Sequence, residues 1–272
     1  MTSPPSHLEP LSTRVGHATS GDNLYCGYAA IGELTGRDGF WSVVSLAAGG
    51  PRLDARAERL LDAMCAAGLA ADPRIWPMKL VRVVASHGGT MAAYAAGLVW
   101  LEAATIGPWS AGACARFYLE LAASLGDLTD DGDLVTNAVR AMLDGGRRLP
   151  GFGVPFRAED ERVGGIRAYV QRHGHDEGRF YRLVEHVDAA VRQARGTRIN
   201  IVGVDAALLL DLGMTPRSVE VIVAMLAAPN VLANAVEGAE HAPAVLQRLP
   251  PATARYVGPA PRPSPRAAGT ER

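Results

Sequence analysis

Chemistry in this chain starts at the run Arg148-Leu149-Pro150-Gly151-Phe152-Gly153-Val154-Pro155, followed at short range by Asp160-Glu161-Arg162. Glycines on either side of one aromatic let backbone groups approach a ligand where a Cβ would stand in the way; the competing reading is a Gly-rich turn between helices. Arg162 is either the cation for an anionic group or a solvated surface arginine, because charges near a cleft ordinarily find water first. Arg148 and Arg157 are further candidates for phosphate contact. His87, before Gly88-Gly89, offers an imidazole for acid–base work and equally suits a satisfied polar residue at a helix irregularity. His173 and His175 stand beside Asp176, but no third ligand falls at helical or loop spacing, so they read as a solvated turn and no metal is expected. Cys26, Cys65 and Cys114 are too widely separated for a zinc site or a small disulfide framework and read as reduced and buried.

The elements that position these residues read as helices. Phe180, Leu183, Val184, Val187 and Val191 lie on one stripe, and helical periodicity also covers Ala57 to Leu69, Lys79 to Thr105, Ala113 to Leu125, Asp133 to Leu143 and Ser218 to Glu237. Gly145-Gly146 stops one helix, Thr215-Pro216 opens another, and no strand series is visible, so the fold class is all-α. Lys79 to Thr105 has no polar face around Met91 to Ala96 and is expected to run through the core. After Pro250 the composition turns to Pro, Ala, Arg and Gly, and 259–272 is expected to be a disordered tail.

With 272 residues the chain can bury a sizeable core. Lys+Arg 27 against Asp+Glu 28 removes the basic excess that nucleic-acid binding needs. No signal peptide is visible at the start, and the apolar stretch Val221 to Val236 is interrupted by Pro229 and Asn230, short of a membrane span. The expected location is the cytoplasm, with no membrane partner.

Several segments, in order along most of the chain, resemble the citrate synthase and citryl-CoA lyase superfamily. Arg148 to Pro155 with Asp160-Glu161-Arg162 resembles R-x-P-G-F-G-H-P and its downstream D-P-R. Gly27-Tyr28 with Glu33-Leu34, Gly107-Pro108-Trp109-Ser110-Ala111-Gly112-Ala113, Asn200-Ile201-Val202-Gly203-Val204 and Tyr256-Val257-Gly258-Pro259 are similar to the family's R-G-Y-x-x-x-E-L, G-P-L-H-G-G-A, N-V-D-G-A and Y-x-G-P. The short length is similar to a stand-alone citryl-CoA lyase. The resemblance implies a large helical domain of 1–110 and 206–258, a small domain of 111–205 carrying the coenzyme A loop, and a homodimer that completes its sites across the interface. It implies coenzyme A or an acyl-CoA as ligand, held by Arg148, Pro150, Gly151, Phe152 and Gly153.

The same resemblance shows what is missing. The family's base, an Asp, falls at Val202; its enolate-holding His falls at Ser110; the His of the loop falls at Val154. A D-H dipeptide falls at Asp72-Pro73, and a later Arg and His fall at Ala227 and Asn234, with Glu237 kept. Losing a general base costs ~10² to 10⁴ in rate, and losing the enolate donor removes a comparable further term. Of the replaced set only Ser110 can still donate a hydrogen bond, and Asp205, three residues beyond Val202, is expected on another helical face. Arg162 and His87 remain as substrate contacts. The expected function is a divergent lyase or acyltransferase forming or cleaving a carbon–carbon bond on a CoA thioester with a small carboxylate or a more apolar substrate. The alternative is a non-catalytic homologue that regulates a partner, for example as a mixed dimer with a paralogue.

Overall fold

The computed structural model describes residues 11–101, 107–154, 157–240, 252 and 255–260. The chain opens with a small antiparallel sheet, β1 (Gly16–Ala18), β2 (Asn23–Tyr25) and β3 (Tyr28–Ala29), in the order β1-β2-β3. Sequence reading expected no strands. These are two or three residues long and largely exposed, too short to display alternation. Their turns rest on left-handed backbone at Gly21 and Gly27. A π-helical turn, Ala30–Leu34, follows, held by the Asp22 carboxylate, which accepts from the N–H groups of Ile31 (2.8 Å) and Gly32 (2.9 Å).

All else that is regular is helical, as expected: α1 (Phe40–Ala47), α2 (Ala55–Ala67), α3 (Trp76–Gly88), α4 (Thr90–Trp100), α5 (Gly107–Leu125), α6 (Gly132–Asp144), α7 (Glu161–Arg172), α8 (Arg179–Arg195), α9 (Ile201–Asp211) and α10 (Pro216–Glu240). Short polar side chains set the starts, Asp54 accepting from Ala57 N for α2 and Asp131 from Asp133 N and Leu134 N for α6. The expected continuous helix from Lys79 is instead two, broken at Gly89, whose φ of 82° no helix continues through. Nor is its second half buried all round: Met91 is 70% and Val99 69% exposed. Its expected last residues, 102–105, lie outside those described, as does the expected tail beyond 260.

Pro229 does not interrupt α10, which runs 25 residues through it. An 18-residue window of α10 has mean hydropathy 1.8, long and apolar enough to cross a membrane, against the expectation of a broken run. Half of that window is buried inside the protein, where α10 packs on α3, α4 and α5, so α10 is built as a core helix.

Two apolar clusters form. The larger joins Leu60, Leu61 and Met64 of α2, Tyr118 and Leu121 of α5, Val135 and Val139 of α6, Leu183 and Val187 of α8, and Leu208 and Leu209 of α9. The boundaries expected at 110/111 and 205/206 fall inside α5 and α9, and this cluster spans both. The smaller joins Met78, Val81 and Ala85 of α3, Ala93 of α4, and Val231 and Ala235 of α10. Gly97 lets α4 lie directly on these two helices; a Cβ there would run into Val231 and Val81. Gly97→Ala is therefore expected to cost about 1–3 kcal/mol in urea unfolding, with part of the loss recovered in the double variant with Val231→Ala.

Candidate functional site

Consecutive backbone N–H groups at the entry to α9 are each taken by a different part of the chain. Ile199 N donates to Asp188 Oδ1 of α8 (2.8 Å), Asn200 N to Gly151 O of the Gly-rich loop (2.9 Å), and Ile201 N to Asp160 Oδ2 at the start of α7 (2.9 Å). Asn200 adds its side chain to the same junction. Its Nδ2 donates to Gly153 O (2.9 Å), while its Oδ1 accepts from Gly203 N (3.1 Å) and caps α9. Gly153 N donates to Arg198 O (2.9 Å), and Phe152 bridges to Ile199.

Gly151 is required by this packing, and Gly153 by its φ of 79°. Gly151 has φ of 83°, and a Cβ on it would lie 2.8 Å from Cys114 Sγ and 2.9 Å from Gly203 Cα. Cys114 belongs to α5, one turn after Ser110, whose hydroxyl is the polar neighbour of that thiol. Burial pushes the Cys114 thiol up to about 12, so it stays protonated and unreactive. Ser110 and the loop thus come together through Cys114 where α5 and α9 meet, with Val202 next in sequence to the Gly203 that Gly151 touches. Val154 pairs with Arg157 across a tight bridge, and Arg157 forms an ion pair with Glu161.

Arg162 stands at the edge of the same junction. Asp160 caps α7 and holds Arg162 through Nε (2.7 Å) and Nη2 (2.8 Å) while gripping Ile201. Asp205 lies on α9 close enough to feel both charges. Val202 and Asp205 are about 60° apart around the helix, neighbours rather than occupants of opposed faces, which corrects the sequence expectation. Asp205 is 4% exposed and its Oδ1 has no hydrogen-bond partner among the described residues. Burial pushes it up to about 8, with the Arg162 charge opposing and Asp160 adding to the rise.

Beside the loop opens a cavity of about 450 Å³ lined by Arg147, Arg148, Phe152, Val191, Arg195 and Thr197, among others. Arg147 is neutralised by Glu120, in a paired contact of 2.6 and 2.7 Å. Arg195 donates to Leu143 O, and among the described residues Arg148 has no carboxylate partner. The cavity is therefore basic, with a half-buried aromatic floor.

Other candidates sit elsewhere. His87, at the C-terminal end of α3, contacts Ser86 Oγ and Val83 O, and no hydrogen bond links it to the loop among the described residues. His173 stacks on Tyr169 at 4.3 Å, and the Arg56 guanidinium donates to His173 O, tying α2 to the turn after α7. On α10, Asn234 Nδ2 donates to Ala71 O (2.9 Å), and Asn230 takes Ala70 N (2.8 Å) and reaches Gly68 O. Glu237 pairs with Arg82, which also reaches Asn234. These asparagines clip the segment ahead of α3.

Sequence reasoning missed Asp188, Asp160 and Asn200 as the residues that fix the loop. Asn200 and Asp160 each precede a helical run in the manner of an N-cap, and Asp188 is an acid beside the apolar stripe of α8; those were the available signals.

No protein-family model matches the chain, and no curated protein sequence matches it significantly. Solved structures do. Citryl-CoA lyase from Hydrogenobacter thermophilus superposes with a TM-score of 0.75 at 20% identity, over 96% of this chain and 99% of that one. ATP citrate lyase from Methanothrix soehngenii, in complex with citrate and coenzyme A, gives 0.70 at 15% identity, over 96% of this chain and 43% of that one. Citrate synthase from Thermoplasma acidophilum gives 0.53 at 18% identity, over 82% of this chain and 57% of that one. The chain has the citrate synthase-type helical fold.

Asn200→Ala removes the donor to Gly153 O and the cap of α9 together. It is expected to cost about 1–2 kcal/mol in stability and to speed hydrogen exchange at Gly151 and Gly153, measured by mass spectrometry, with little change in α6.

Proposed function

We propose that this citrate synthase-type fold binds a coenzyme A thioester at the Gly151–Gly153 loop and works on it as a divergent lyase or acyltransferase whose second substrate is not the family's usual one. The observation that carries the reading is the loop: a glycine-rich turn fixed by Asn200 and packed on Cys114 and Gly203, beside a basic cavity of about 450 Å³. Phe152 and Val191 offer apolar surface to an adenine, and the uncompensated Arg148 and Arg195 suit phosphates. Arg162, with Ser110 and Val202 at the α5–α9 contact, would face the acyl end.

In this reading Ser110 donates one hydrogen bond to a developing enolate oxygen, and Arg162 holds a carboxylate. Val154 and Val202 replace polar groups with apolar ones and favour a less polar co-substrate. The larger and smaller domains, 1–110 with 206–258 against 111–205, would close around it in the cytoplasm, without a metal. The second reading, a non-catalytic homologue that regulates a partner or pairs with a paralogue, is favoured by Asn230 and Asn234. Both hold the segment before α3 from positions at or near the expected His.

A homodimer is part of the proposal. Met91, Val99, Trp100, Leu232 and Val236 leave α4 and α10 with an exposed apolar face of the kind that a second copy covers. Sedimentation is expected to give twice the 28.6 kDa chain mass, and a monomer at micromolar concentration would remove this part.

Calorimetric titration with coenzyme A, acetyl-CoA and dephospho-CoA is expected to show saturable binding that needs the adenine end and weakens several-fold in Arg148→Ala. Absence of binding at millimolar ligand would remove the coenzyme A reading and leave the regulator in front.

A further inference from the structure

The junction around Arg162 contains a second carboxyl group that the proposed function leaves idle. Asp205 is 4% exposed, and its Oδ1 is buried without a hydrogen-bond partner among the described residues. It follows Ile201 by four residues, so it shares the face of α9 that Asp160 grips through the Ile201 N–H. The charged groups acting on it are Arg162 and Asp160, both from the start of α7. Asp160 occupies Arg162 Nε and Nη2, and Nη1 has no hydrogen bond among the described residues. The Arg162 side chain is 23% exposed and so is open in part to solvent. An unpaired oxygen in such a place is tolerable while the carboxyl is neutral and costly once it ionises, unless a cation turns to meet it.

We propose that Asp205 is a positioning residue whose proton decides whether Arg162 is available to a carboxylate ligand. Neutral Asp205 leaves the Nη1 edge to an incoming ligand oxygen. Ionised Asp205 draws that edge inward and sets a negative charge beside the arriving carboxylate. No bond is made or broken in this step; one proton leaves Asp205 for solvent as the site closes to ligand, and returns as it opens. The inference rests on the reading of Arg162 as a carboxylate holder. With Asp205 titrating at about 8, ligand affinity is full below that pH, and above it falls about tenfold per unit, because only the protonated form binds.

The probe is citrate, titrated calorimetrically into the full chain from about pH 6.5 to about 9.5 in buffers of differing ionisation enthalpy. Wild type is expected to weaken above pH 8 and to take up close to one proton per citrate bound there, and Asp205→Asn is expected to lose both the slope and the proton uptake. A flat wild-type profile, or the same slope in Asp205→Asn, overturns the proposal. A second measurement separates it from the function it rests on: the Arg162 Nε–H resonance of ligand-free protein, assigned with Arg162→Lys. It is expected to shift with a midpoint near pH 8 in wild type and not in Asp205→Asn. If the resonance behaves so while citrate fails to bind, the carboxylate reading fails and the coupling of Asp205 to Arg162 stands. If the resonance does not move, the proposal is overturned whatever citrate does.

Discussion

The structure around the candidate site depends on where the N–H groups of Ile199, Asn200 and Ile201 go. Ile199 and Ile201 are 2% and 3% exposed, so water is not available to either. A buried N–H without a partner costs about 1–3 kcal/mol. Each instead finds a different element, and the result is mutual constraint: α8 through Asp188, the Gly-rich loop through Gly151 O, and α7 through Asp160. None of these can shift without uncovering a donor at the entry to α9. Since α9 is buried along nearly its whole length, it acts as the axis against which the others are registered.

Charge is used in two distinct ways around this axis. Pairs such as Arg182–Asp130 and Arg147–Glu120 are largely exposed and contribute little to stability. Asp188 and Asp160, each 5% exposed, are different: their carboxylates combine an arginine partner with a backbone N–H, which satisfies a buried charge and fixes geometry at once. Such groups favour one arrangement over its near neighbours more than they add net free energy. The cavity side of the loop carries the opposite imbalance in Arg148 and Arg195, which no described carboxylate offsets.

Much of the fold was legible because helical periodicity is a strong signal over ten or more residues, and α2, α5, α6, α8 and α10 all lie close to where apolar spacing places them. What escaped was decided by single residues or by contacts distant in sequence. Gly89 divides α3 from α4 by one positive backbone φ; the signal, Gly88-Gly89 within the polar run Ser86 to Thr90, was in the sequence but was outweighed by the apolar stretches on both sides. Pro229 stays within α10 because packing on neighbouring helices outweighs the local preference to break. The strands are too brief for any period. The loop was readable from its glycines and prolines, but its clamp was not, since Asn200 and Gly153 are far apart in the chain and only folding joins them. Asp205 was misjudged by counting residues without completing the turn of the helix.

Asn230 and Asn234 limit the substitutions this chain can accept. Between them they engage Gly68, Ala70 and Ala71, the backbone that leads into α3, and Asn234 also meets Arg82. An amide suits this work because it presents a donor and an acceptor side by side, whereas a neutral imidazole offers one of each on opposite sides of its ring. Installing a histidine at 234 would therefore release part of the segment ahead of α3 before any chemistry was gained. A side chain here works as joinery, so any replacement at 234 must first keep the frame ahead of α3 closed before it can do anything else.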